Sequence, residues 1–195
     1  MKRLILIIAI CTGVLQSNPL QEWGSPVGAD DAFERAAAAH QRGDYAEALD
    51  GYRVLAEKGH IDAQLNLGFM YDNSQGVPHY IAAAKWYRKA AEQGMPIAQT
   101  RLGDMYRDGR GVPQDDAEAV KWFRRSAEQG QADAQNNLGS MYGIGQGVSQ
   151  DYVRAHMWYS LAAAQGHDMA RMNRDITAKK MTPAQIAEAQ KLALE

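Results

Sequence analysis

At 195 residues the chain suits one domain, and 46% hydrophobic residues is an ordinary share for a sequence that builds a core. Lys and Arg number 21 against 23 Asp and Glu, a balance that argues against bulk nucleic-acid binding, which needs clustered cations to neutralise several phosphates. Cys11 is the one cysteine, so everything after the first segment lacks both disulfides and a thiol nucleophile.

The first element is a leader. Met1-Lys2-Arg3 is a short basic start, and residues 4–15 form an apolar run that falls short of the roughly 20 needed to span a bilayer. The pattern predicts an export signal and a periplasmic or extracellular protein with no stable membrane span in the mature chain. An uncleaved anchor is disfavoured by the length of the run, and lipidation at Cys11 by bulky Ile10 just before it. Residues 1–29 are therefore read as signal and linker, with Val27-Gly28-Ala29 offering small residues for cleavage.

Helical character begins near Asp30-Asp31, which can cap a first turn, and runs through Ala36–Ala39 to a break at Gly43-Asp44. Tyr45, Ala48, Leu49, Tyr52 and Leu55 then share one face of a second helix, with Asp44 as its expected N-cap and Gly59 as its left-handed end. Together 30–59 make a first helix pair with a very short turn.

Three copies of a longer unit follow, over 60–94, 95–130 and 131–166. They open Ala63-Gln64-Leu65-Asn66-Leu67-Gly68, Ala98-Gln99-Thr100-Arg101-Leu102-Gly103 and Ala134-Gln135-Asn136-Asn137-Leu138-Gly139, at spacings of 35 and 36 residues. Each continues through Tyr71, Tyr106 or Tyr142 to a glycine-rich turn, Gly76-Val77-Pro78, Gly111-Val112-Pro113 or Gly147-Val148-Ser149. Each reaches Trp86, Trp122 or Trp158 and closes on Gly94, Gly130 or Gly166. A fixed period of this length signifies stacked repeats that bury their apolar faces against one another. The Leu-Gly pair predicts a close helix approach, with the tyrosines and tryptophans supplying the large buried areas. Asp115 or Asp116, and Asp151, are the expected caps of the second helices; His79-Tyr80 occupies that place in the first copy and predicts a weaker start there.

After Gly166 the register resumes with Ala170 for Ala134, but Arg174-Asp175 replace the Leu-Gly pair, so 167–195 reads as a terminal cap. Thr182-Pro183-Ala184-Gln185 opens a final helix with a capping box, and Ile186, Ala189 and Leu192 or Ala193 share its apolar face. That helix is expected to cover Met157 and Leu161, which stand where the earlier copies carry basic residues.

The pattern Ala, Leu-Gly, Tyr, Gly-x-Gly-Val, Asp, Trp, Ala, Gly resembles the Sel-one-like repeat (SLR) family, relatives of tetratricopeptide repeats (TPR), across about Ile61 to Gly166; the first pair looks more like an ordinary tetratricopeptide unit. The resemblance implies an all-α fold, a right-handed α/α superhelix of antiparallel helix pairs closed by a C-terminal capping helix. It also implies a non-enzymatic adaptor for protein or peptide partners. A role as regulatory subunit or activator of a cell-envelope enzyme is the alternative, and a hydrolase a distant one, because the disulfide-rich branch of the family linked to penicillin-type ligands has cysteines that this chain lacks.

Candidate binding residues are those of the first helices that lie off the core register: Asn66, Phe69, Arg101, Asp104, Asn137 and Ser140. Asn66, Arg101 and Asn137 hold the same position in successive repeats, a ladder of donors suited to a peptide backbone or a carboxylate. The basic stripe Lys85, Arg88, Lys89, repeated as Lys121, Arg124, Arg125, reads as a solvated outer face balanced by Glu92 and Glu128. The five histidines form no i, i+4 pair, no glycine loop follows a strand, and no serine sits in a nucleophile elbow. No metal, cofactor or catalytic residue is therefore expected. A monomer that binds no nucleic acid is the expected state.

Overall fold

The computed structural model describes residues 28–73 and 79–194, and helical periodicity carries through them as ten α-helices with no strand among the described residues. They are α1 (Ala29–Arg42), α2 (Tyr45–Glu57), α3 (Ile61–Asp72), α4 (Tyr80–Glu92), α5 (Pro96–Asp108), α6 (Asp116–Glu128), α7 (Ala132–Ile144), α8 (Tyr152–Ala164), α9 (Asp168–Ala178) and α10 (Pro183–Leu192). Each helix from α1 to α8 packs on the next in the chain, which builds the α/α solenoid that the repeats demand. The leader and linker up to Val27, and the turn Gly76-Val77-Pro78, lie outside the described residues.

Helix ends follow the local chemistry. Asp115 and Asp151 accept hydrogen bonds from the backbone N–H of Glu118 and Arg154, both at 3.0 Å, as expected of caps. His79 makes no such bond at the start of α4, the expected weaker start. Thr182 and Gln185 form a full capping box with Pro183 behind it. Two expectations need correction. Asp44 sits at the N-cap of α2 but makes no cap bond, because its carboxylate is drawn 3.1 Å from Arg42 Nε. Helix α1 starts one residue early, capped by Gly28, so Asp30 and Asp31 lie inside its first turn. Gly59 ends its pair at φ 96°, in the left-handed region as expected.

The Leu-Gly pairs act as predicted, and the structure identifies the ring that each glycine admits. A Cβ placed on Gly68, Gly103 or Gly139 would meet the ring of Tyr87, Phe123 or Tyr159 at 2.5, 2.7 and 2.8 Å, so each glycine opens a hollow for an aromatic ring of the second helix. The filling ring is the residue after each tryptophan, not the tryptophan itself. One step along a helix turns by about 100°, which points Trp86 and Trp122 at the preceding repeat's core and Tyr87 and Phe123 at their own first helix. Adjacent aromatics thereby lock each second helix to both neighbours.

The long turns lock the stack from the other edge. Gly111 and Gly147 have φ of 70° and 68°, and a Cβ on them would fall 2.2 and 2.3 Å from the carbonyl oxygens of Tyr80 and Asp116. Each turn thus seats on the first turn of the preceding repeat's second helix, with Val112 and Val148 half-buried beside it. At the far end α10 folds back on α8 instead of pairing with α9. Ala189 is fully buried, Ile186 half-buried, and Met157 and Leu161 are half-buried, as the expected covering requires; Leu192 is 36% exposed.

Candidate functional site

The first helices of successive pairs line one side of the stack, and five of the six candidate residues make contacts there that run between repeats or to a partner helix. Arg101 lays its guanidinium 5.3 Å from the Phe69 ring centre, and Asn137 Nδ2 donates to Asp104 Oδ1 at 3.2 Å. The two contacts obey one rule: the ladder position of a repeat reaches the residue three places further on in the repeat before. Asn173 of α9, at the same register position, departs from that rule and donates instead to Asn136 Oδ1 at 3.0 Å. Sequence reasoning carried the register past Gly166 to Ala170 and Asp175 but gave Asn173 no role, although it stands 36 residues after Asn137. Ser140 turns toward the second helix and hydrogen-bonds Tyr159, while Asn66 is half-buried on the same face.

Between α5, α7 and the start of α9 the ladder borders a groove of about 360 Å³, lined by Ile97, Arg101, Asp104, Asn137, Asp133 and Met169 among others. Asp104 is its most enclosed charge. Burial raises its carboxyl above the ordinary carboxylate value, with Arg107, 3.0 Å away, and Arg101 pulling the other way. At the rim His167 Nε2 lies 3.2 Å from Asp133, while its Nδ1 accepts from the backbone N–H of Ala170 and caps α9. The groove thus offers apolar walls at Ile97 and Met169 and a polar floor of both charges. A second, more apolar cavity of about 620 Å³ opens beside Tyr45, Leu49, Phe69 and Met70. Tyr45, expected on the buried face of α2, is exposed at its lip and packs edge-on to His40.

The basic stripe is occupied by the fold. Arg88 and Arg124 donate to the Tyr106 and Tyr142 hydroxyls of the following repeat at 2.6 and 2.7 Å, and Lys89 and Arg125 cover the Trp86 and Trp122 rings at 4.5 and 4.7 Å. Four of its cations are thus held by aromatic groups, while Lys121 pairs with Glu118, and Lys85, Lys121, Arg124 and Arg125 stay exposed on an outer face. Among the described residues no cluster of three or more His, Cys, Asp or Glu gathers as a metal site would require, and no helix is long and apolar enough to cross a membrane.

The repeats that carry the ladder are matched by the Sel1 repeat model at residues 61–95, 96–131 and 132–167, more than half of the chain. The chain belongs to the Sel1 repeat family. Among solved structures, this Sel1 repeat protein is similar to the Sel1 repeat protein from Oxalobacter formigenes, with 33% identity and a TM-score of 0.67 over 73% of this chain and 59% of that one. It is also similar to c5321, a protective antigen present in uropathogenic Escherichia coli strains that displays an SLR fold, with 28% identity and a TM-score of 0.60 over 89% of this chain and 46% of that one. The Helicobacter pylori cysteine rich protein B shares the fold, at 22% identity and a TM-score of 0.50 over 71% of this chain and 93% of that one. The chain thus spans about half the length of the first two relatives. A comparison with curated proteins returned no match. Sel1 repeats suggest a scaffold for protein–protein interaction, and this member carries that architecture.

Proposed function

We propose that this chain is a non-enzymatic interaction scaffold that holds an extended segment of a protein or peptide partner along the groove of its first helices. Arg101, Asp104 and Asn137 are the principal contacts, with Asn66, Phe69 and Ser140 beside them. The observation that carries the reading is the contrast between the two sides of each first helix. Ala, Gln, Leu and Gly repeat on the packed side, while the groove side changes from Asn66 to Arg101 to Asn137 and from Phe69 to Asp104 to Ser140. A fold needs its repeated residues; choice of partner resides in the varied ones. Amide, guanidinium and carboxylate groups beside Ile97 and Met169 suit a peptide backbone carrying an occasional apolar side chain.

Panning a random peptide library on the purified protein tests this. Enriched peptides are expected to bind the wild type and to lose about tenfold or more in affinity on the Arg101→Ala, Asp104→Ala, Asn137→Ala variant, the effect of removing two or three charge-assisted contacts. Binding that survives those changes, or that follows Lys85→Ala and Lys121→Ala on the opposite side, overturns it. We further propose, from the leader at residues 1–15, that the protein is exported. Fractionation of cells expressing the full chain with a C-terminal tag is expected to recover it outside the cytoplasm, and a Leu6→Arg, Ile8→Arg leader variant inside.

A further inference from the structure

Helix α9 presents a face that no part of the described chain covers. By register Met172 answers Leu65, Thr100 and Asn136, and Ile176 answers Phe69, Asp104 and Ser140. Inside the stack the following repeat occupies most of those positions: Leu65 and Thr100 are buried, Asn136 is bonded by Asn173, Phe69 lies under Arg101, and Asp104 is held by Asn137. On α9 the corresponding stripe, Met169, Met172 and Ile176, is 55%, 51% and 55% exposed. Helix α10 does not shield it, because its packing is with α8. A contiguous apolar stripe left open at a place built for stacking marks an interface.

The flank of the stripe identifies the occupant. Asp175 stands where Gly139 opens its hollow for Tyr159, and Arg171 stands where Gln135 is buried, so no helix of this chain approaches on that side. Both are exposed, four residues apart on one helical edge, with opposite charges. We propose that this face pairs with the same face of a second copy, α9 running antiparallel to α9 across a two-fold axis near Asn173. That arrangement sets Arg171 opposite the other copy's Asp175, and Asp175 opposite its Arg171, while Met169, Met172 and Ile176 of the two copies pack together. A flank of one sign would repel itself; this one is its own complement. The existing pairs of Arg171 with Asp168 and Arg174 with Asp175 are exposed and weak, so they exchange at little cost. The result is an end-to-end dimer in place of the monomer expected from the sequence.

Sedimentation or light scattering across a micromolar concentration series of the purified full chain tests the proposal. The wild type is expected to pass from monomer to dimer with concentration, and Met172→Glu with Ile176→Glu to remain monomeric. Arg171→Asp alone or Asp175→Arg alone is expected to weaken the dimer about tenfold, while the two reversals together restore it, because each charge then meets its complement again. A wild type that stays monomeric throughout, a dimer indifferent to Met172→Glu, or a double reversal no better than the singles overturns it. The charge variants sit on solvent-exposed positions, so their readout does not depend on the apolar variant folding.

Discussion

Gln64, Gln99 and Gln135 are buried polar residues inside an apolar stack, and each is bonded through both atoms of its amide. Their Nε2 atoms donate to the Ala56, Ala91 and Ala127 carbonyls at 3.0, 3.1 and 3.1 Å, and their Oε1 atoms accept from Gln93, Gln129 and Gln165 at 2.7, 2.8 and 2.8 Å. Each amide therefore ties the end of the preceding second helix to the end of its own. Replacing Gln135 by Leu leaves the Ala127 carbonyl and the Gln165 amide without this partner, and urea unfolding is expected to show a loss of about 1–3 kcal/mol. A loss no larger than a surface substitution gives would mean that water replaces the amide freely. The role of these glutamines was not legible beforehand, although the Ala-Gln pair was visible in all three copies. Repetition identifies a residue as structural, but the carbonyl it must satisfy lies on a helix end that only the packed stack brings near. The hollow-forming glycines were legible because their cost within a helix demands a compensating close approach.

At the scale of single helices, α4 and α8 depart most from their counterparts, each for a reason that can be measured. Helix α4 starts at His79, which makes no cap bond, where α6 and α8 start at a bonded aspartate. His79→Asp is expected to stabilise the protein by about 0.5–1 kcal/mol through a new bond to a free backbone N–H, read as a shift of the urea midpoint at constant slope. Helix α8 instead carries a buried His156 within reach of Ser160. Burial holds its imidazole below the ordinary value of 6.5; Arg174 across the junction adds to that, and Asp175 opposes it. The unfolded chain then takes up a proton that the folded chain refuses, so the stability present above about pH 6.5 falls as pH drops through that value toward the folded pKa. Comparison with His156→Gln isolates this group from the other histidines: the wild-type profile is expected to fall more steeply below about pH 6.5. Parallel profiles would show that the histidine does not contribute.

Across the whole molecule, the helix count, pairing and terminal cap were readable because a repeat states each packing requirement several times over. The route of the end was readable too: Met157 and Leu161 stand where the earlier copies carry basic residues, which predicts that α10 returns to cover α8, and Asp175 stands where a partner helix needs glycine. The groove was half readable. Register located Asn66, Arg101 and Asn137 on one face, whereas the pairing of Arg101 with Phe69 and Asn137 with Asp104 depends on the offset between stacked helices, which spacing alone does not contain. Because each repeat touches only the repeats beside it, a fault introduced at one end should stay there. Ala189 of α10 is fully buried against that end. Ala189→Glu puts an unpaired charge into this contact, which releases α10 and exposes Met157 and Leu161 of α8. Amide hydrogen exchange is expected to accelerate in α8, α9 and α10 and to keep its wild-type rate in α1 to α4, as a one-dimensional stack with nearest-neighbour coupling requires. Uniform acceleration from α1 onward would instead mean that the ten helices unfold as one unit, and that the cap sustains the stability of the whole array.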